Sequence, residues 1–169
     1  MTREYLGKVK LASVASMTVA QKWTFLERGH EICVSTVSEE GEIFSSPLWY
    51  TVLDRRIFLP IDQASRHMEN SDKGSSMTGV VFKGGDELAT ARGVQVRGRA
   101  KLVNDPALAL ECVDRVVERI FGAGHPHAET YIEYRDAFDN TTMELVPEKM
   151  ISWDLRKAYN LPMYSSREF

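Results

Sequence analysis

Cysteine is scarce in this 169-residue chain: only Cys33 and Cys112 occur, far apart and with no Cys-x-x-Cys pair. That excludes a disulfide framework and makes a reducing cytoplasm the expected compartment. No apolar run approaches the ~20 residues that would span a bilayer. The opening Met1-Thr2-Arg3-Glu4-Tyr5-Leu6 lacks the apolar core of a signal peptide. Excess charge is also lacking. A net charge of −3 gives no general attraction to nucleic acid or anionic membrane, so a bound phosphate must be met by a local cluster. No internal repeat, low-complexity tract or composition break divides the chain, and one domain over residues 1–169 is expected. Several catalytic signatures are missing: Gly-x-Gly-x-x-Gly, Gly-x-Ser-x-Gly, the Walker motif and His-Glu-x-x-His.

What is present is ordinary soluble-domain material, 43% hydrophobic and 27% charged, enough for a sizeable core. Residues 1–17 carry no firm signal. Thr18 with Gln21 reads as a capping box opening a helix through Trp23, Phe25 and Leu26 to Gly29. Ile32 to Ser38 is β-branched and precedes the turn Glu39-Glu40-Gly41. Strands are expected from Glu42 to Pro47, Trp49 to Leu53 and Ile57 to Ile61, with Asp54-Arg55 as a tight turn. Asp62 to Ser65 opens a short helix with Met68 on its apolar side. Met77 to Lys83 is a strand, Gly84-Gly85-Asp86 a loop, and Val94 to Val103 a long strand. Asn104-Asp105-Pro106 starts a helix, and Leu108, Cys112, Val116 and Ile120 recur at helical spacing to Gly122. Ala128 to Phe138 reads as a shorter helix or a loop. Met143 to Val146 and Met150 to Trp153 read as closing strand material around Pro147, which must sit at an edge or bulge. The tail after Lys157 is expected to be loosely held unless a partner docks it. Short strands, one helix, then strands again argue for an antiparallel barrel with helical additions.

The chemistry-bearing cluster is Ser65-Arg66-His67, directly after the apolar hairpin that runs from Ser46-Pro47-Leu48-Trp49-Tyr50-Thr51-Val52 into Arg56-Ile57-Phe58-Leu59-Pro60. A hydroxyl, a guanidinium and an imidazole at a strand end can grip a phosphate, and a helix N-terminus adds backbone donors. The competing reading is an exposed helix start with Ser65 as cap and Arg66 in solvent. Gln95 and Arg97 share one face of the long strand, and Val94, Val96 and Gly98 the other. Gly98 marks a bulge or a close backbone approach. His125-Pro126-His127 offers two imidazoles without Cys, Asp or Glu at ligand spacing, so no metal site is expected.

The order of elements from Ile32 to Val103, with Ser65-Arg66-His67 at its centre, resembles the pyridoxamine 5'-phosphate oxidase-like, FMN-binding split-barrel family. The resemblance implies a mainly β, six-stranded antiparallel Greek-key split barrel with added helices, working as a homodimer. It implies FMN as cofactor, with the phosphate held by Ser65, Arg66 and His67, where the oxidases have Lys in place of His67. Trp49, Tyr50 and Thr51 would face the isoalloxazine edge. Ile61 and Asp62 would touch ring and ribityl chain, and Gln95 and Arg97 would reach the flavin across the subunit interface. Trp153 would lie near the flavin or dimer interface, or serve as a plain core residue. The implied activity is hydride transfer between flavin and a small organic substrate, with no catalytic residue singled out. Flavin enzymes need few protein catalysts, which suits the missing signatures. The Trp…Arg-Leu-x-Pro ending of vitamin B6 oxidases is absent, so that substrate is not expected. Two alternatives share the barrel: a deazaflavin-dependent reductase, and a non-enzymatic flavin or haem binder.

Overall fold

The computed structural model describes residues 15–71, 75–84, 90–122, 124–137 and 140–159; for 134–137, 140, 158 and 159 only the backbone is described. The Gly85-Asp86 part of the expected loop and the tail after residue 159 lie outside the described residues.

The element order is α1 (Val19–Arg28), β1 (Glu31–Val37), β2 (Ile43–Trp49), β3 (Thr51–Leu53), β4 (Arg56–Asp62), α2 (Arg66–Ser71), β5 (Ser76–Lys83), β6 (Arg92–Leu102), α3 (Pro106–Phe121), α4 (Pro126–Ala137), β7 (Asn140–Asp154) and α5 (Leu155–Tyr159). The protein is mainly β, a curled antiparallel sheet with added helices. The sheet has seven strands in the order β2-β1-β5-β6-β7-β4-β3, not the expected six. The break expected between Pro47 and Trp49 falls at Tyr50, whose N–H donates to the His30 carbonyl (3.4 Å) in line with the β1–β2 register, and the chain restarts as β3 at the opposite end of the strand order.

The chain packs as two compact units. Of the described residues, one comprises 15–29, 80–84, 90–95 and 150–159. In it α1 starts with the capping box: Gln21 N–H donates to Thr18 Oγ1 (3.2 Å) and Thr18 N–H to Gln21 Oε1 (3.0 Å). Met17 N–H donates to Ser152 Oγ (3.0 Å), and Lys22 Nζ to the Met150 carbonyl (3.3 Å). The Trp153 indole lies against Gly93, where any Cβ would strike the ring. Asp154 and Arg156 form a buried pair, Nη2 to Oδ2 at 2.9 Å.

The other comprises the described residues of 30–79 and 96–149. β1 and β2 pair antiparallel with Ile32 opposite Leu48 and Val34 opposite Ser46. Ile32, Val34 and Thr36 point inward, every second residue, as a half-buried strand requires. β3 and β4 are joined by Asp54-Arg55, both at positive φ (49° and 59°), the geometry of a two-residue hairpin turn. β4 then pairs with β7 from Ile57–Leu145 to Asp62–Asn140. Ile57, Phe58, Leu59, Met143 and Leu145 make the core of this ladder. Pro147 lies within β7 but beyond the last β4 pair, so its missing N–H breaks no bond there. β7 therefore runs as one strand where two pieces were expected. α3 begins as read: the Asp105 carboxylate accepts from Ala107 N–H and Leu108 N–H, and Pro106 occupies the first turn. Its Cys112, Val113, Val116 and Val117 are buried. The α4 stretch is helical. No described helix is long and apolar enough to cross a membrane.

Candidate functional site

The second unit holds a cavity of about 470 Å3. Its floor is made by two strand ends, Pro47, Leu48 and Trp49 of β2 and Pro60, Ile61 and Asp62 of β4. Ser65 closes one side, and Glu31, the cross-strand partner of Trp49, another. Val113 of α3 and Tyr131 of α4 form the remaining wall. Apolar walls with a few polar groups at strand ends are typical of a small-molecule site of this size. Of the residues singled out in the sequence, Trp49, Ile61, Asp62 and Ser65 are brought together here.

Ser65 is held by local chemistry. Its N–H donates to the Asp62 carbonyl (3.0 Å), and its carbonyl and Oγ accept from Met68 N–H at 3.0 and 3.3 Å. Asp62 Oδ1 accepts from Ala64 N–H (2.8 Å), which tightens the turn. The helix itself begins at Arg66, later than expected. Arg66 is exposed, with Nη1 donating to Glu69 Oε2 at 2.9 Å and the guanidinium 5.7 Å from the Phe44 ring centroid.

His67 points the other way. It is buried, with Nδ1 3.0 Å from Thr36 Oγ1 and Nε2 2.7 Å from Ser46 Oγ. Asn70 Nδ2 donates to the same Thr36 oxygen (3.1 Å). The imidazole ties α2 to β1 and β2, and burial pushes its pKa below the usual histidine value. Both ring nitrogens are thus spent on strand hydroxyls. His67→Ala is expected to cost about 2 kcal/mol of folding stability, through a cavity and hydroxyls stripped of a partner. The sign of its pH dependence follows. The unfolded histidine takes up a proton before the folded one, so the stabilisation is full above pH 6.5 and declines as pH falls below it. Urea midpoints of wild type and His67→Ala between pH 5 and 8 check both, because the variant loses that part of the slope.

Tyr50 and Thr51 are buried beyond the strand end and do not line the cavity. The Tyr50 ring sits 5.7 Å from the Arg119 guanidinium, and burial raises its phenol pKa. On β6, Val94, Val96, Gly98 and Ala100 face inward while Arg97 is exposed and Gln95 half-buried. Among the described residues no group of three His, Cys, Asp or Glu side chains could hold a metal ion.

Glu31, Val113 and Tyr131 were not foreseen. Glu31 meets the cavity only through the β1–β2 register, and Tyr131 only through the placement of α4. Tyr131 lies 5.5 Å from the Trp49 ring and 5.8 Å from Phe121. The His125 ring lies 5.4 Å from Phe121 and 5.3 Å from His127, both at tilted angles. The two histidines thus belong to an aromatic cluster beside the cavity.

A family model described as pyridoxamine 5'-phosphate oxidase matches residues 21–154. No protein of curated function matches the chain. Among solved structures, a conserved hypothetical protein from Mycobacterium tuberculosis is 23% identical, with a TM-score of 0.77 over 93% of this chain and 96% of that one. The heme storage protein HutZ from Vibrio cholerae is 16% identical, with a TM-score of 0.63 over 79% of this chain and 94% of its own. An FAD binding protein from Mycobacterium smegmatis is 12% identical, with a TM-score of 0.55 over 81% and 96%. At these identities the likenesses concern the fold.

Proposed function

Because the chain belongs to the pyridoxamine 5'-phosphate oxidase family, we propose that it is an FMN-dependent oxidoreductase acting on a small organic substrate as a cytoplasmic homodimer. The observation that carries this is the cavity that gathers Trp49, Ile61, Asp62 and Ser65 at the ends of β2 and β4. Among the described residues β2 is terminal in the strand order, and no described strand pairs with its outer edge. Backbone N–H and C=O groups of such an edge suit the alternating donors and acceptors of an isoalloxazine rim. In this reading the ribityl phosphate ends at Ser65, a lining residue of the cavity. Arg66, one residue on, supplies the cation by turning away from Glu69. His67 acts indirectly, by fixing the turn that presents them.

When bound, the flavin supplies the hydride chemistry. The chain positions it, shields it from water with Leu48, Ile61 and Val113, and sets its surroundings electrostatically. Gln95 and Arg97 are assigned to the partner subunit's flavin. That assignment couples cofactor binding to dimerisation, so added FMN should tighten the dimer in sedimentation experiments.

A second reading, flavin or heme storage without turnover, is favoured by the likeness to HutZ and to a heme binding protein from Mycobacterium smegmatis. The visible spectrum of the purified protein separates flavin, deazaflavin and heme. Titration with FMN and FAD should then show the tighter complex with FMN. Equal or tighter FAD binding contradicts a site built for one phosphate. Arg66→Ala should weaken FMN by about 1.5–2 kcal/mol, the lower part of the range for a charge-assisted hydrogen bond, because wild-type Arg66 must first leave Glu69. Unaltered FMN affinity would make Arg66 a solvated helix residue.

A further inference from the structure

The second unit holds another cavity, of about 350 Å3, that shares no lining residue with the first. Met68 and Ser71, three residues apart on α2, form one side of it. Ala100 and Leu102, alternate residues of β6, form another with Met143 of β7. Such a volume is ordinary for a small-molecule cleft, and methionine walls adapt to the shape of what they meet. The polar groups are few. Ser71 is 8% exposed, and its Oγ is buried without a hydrogen-bond partner. A helical serine commonly donates to the carbonyl one turn back, and this one does not. A buried hydroxyl left unbonded destabilises the fold, so it calls for a reason. Lys101 and Asn104 stand exposed in the same wall, and Lys101 is its one charged residue. Lys101 makes no ion pair among the described residues. It acts through space on Glu144, a carboxylate already bonded twice to Arg56.

We propose that this cavity is a second ligand site, separate from the flavin's, for a small monocarboxylate with an apolar body. The body lies on Met68, Leu102 and Met143. The carboxylate accepts from the Ser71 hydroxyl, which turns about χ1 to meet it, and from the Asn104 carboxamide. Lys101 supplies the opposite charge. A hydrogen bond to an ionised acceptor is stronger than one to a neutral acceptor, so a carboxylate gains more here than an alcohol of the same length. An ammonium head group meets Lys101 as a like charge and offers Ser71 no acceptor. The site stands or falls without regard to the flavin.

The test uses the full chain, isotope-labelled, and three probes that differ only in the head group: hexanoate, 1-hexanol and hexylammonium. Titrations are followed by NMR through the backbone amide signals, which report affinity and place together. Hexanoate should bind about fivefold or more tighter than 1-hexanol, with hexylammonium weakest. Its largest shifts should fall at Met68, Ser71, Leu102 and Asn104. Ser71→Ala should lose about fivefold or more for hexanoate. Its urea midpoint should stay at or above that of wild type, because an unbonded buried hydroxyl has been removed. A serine with a purely structural role would lower the midpoint and leave the affinity alone. Lys101→Met should bring hexanoate and 1-hexanol to within about twofold of each other. Saturating FMN should leave hexanoate affinity within about twofold, as separate sites do. Hexanoate that fails to bind, binds no tighter than 1-hexanol, or keeps its affinity in Ser71→Ala overturns the proposal. Displacement by FMN, or shifts centred on Trp49 and Ser65, overturns it equally.

Discussion

Gly98→Val is expected to cost more than about 3 kcal/mol of folding stability, the upper end of what overpacking does. A Cβ at Gly98 would fall on the Val146 carbonyl oxygen and within 3.2 Å of the Pro147 Cα. These are backbone atoms of β7, which is pinned on its other side by the ladder from Leu145 to Asn140. No side-chain rotation relieves the overlap, so a strand must move. Gly79 makes the contrast. There a Cβ would meet the Ile32 Cδ1 and the Leu145 Cδ2, the far ends of two side chains. Gly79→Ala should therefore cost less, about 1–2 kcal/mol. Urea unfolding of the three proteins measures both. A Gly98→Val protein within 1 kcal/mol of wild type, on the order of ordinary surface changes, would mean that β6 and β7 are not as close as described.

Arg56→Ala is expected to cost about 3 kcal/mol near neutral pH. Glu144 is buried on β7 opposite Phe58, and Arg56 reaches it with Nε to Oε1 at 2.9 Å and Nη2 to Oε2 at 2.7 Å. The same guanidinium lies 4.7 Å from the Phe58 ring centroid. Removing it strands a buried carboxylate, which costs 3–5 kcal/mol or about that in fully buried pairs. Arg56 is itself about half exposed, so the lower end applies. Hydrogen bonding to Arg56 also holds the Glu144 carboxyl below its usual 4.5. A depressed carboxylate stabilises fully above its unfolded pKa, and that stabilisation is lost as pH falls from 4.5 through the folded value. In the absence of Arg56, burial dominates, so Glu144 protonates at higher pH and the variant's stability deficit shrinks on acidification. The double variant Arg56→Ala/Glu144→Gln should recover part of the loss, since no charge is left unpaired. A double variant as unstable as the sum of the singles would rule out the pair as the cause.

Local signals in the sequence were reliable guides to local structure. The Thr18–Gln21 box, the Asp54-Arg55 turn and the Asp105-Pro106 helix start depend on neighbours in the chain, and each is where the residues put it. Strand count was less legible. A break was expected between Pro47 and Trp49, and it falls at Tyr50 instead, because Leu48 and Trp49 still pair with Ile32 and Glu31 on β1. Pro147 suggested a break in the last strand, and only the extent of the β4 ladder shows why the strand continues. Within the site, Ser65, Arg66 and His67 read as one cluster. Successive helical residues point about 100° apart, which sends Arg66 to solvent and His67 under the strands. Glu31 and Tyr131 carried no signal, because each reaches the cavity through register or helix docking rather than through sequence neighbours.

The central claim is that the cavity at the ends of β2 and β4 is a flavin site. A crystal structure of the protein grown with FMN tests it directly. The account predicts the isoalloxazine ring against Pro47, Leu48 and Trp49, with the phosphate at Ser65 and Arg66. A flavin seated elsewhere, or density for FMN that leaves this cavity empty, would contradict it.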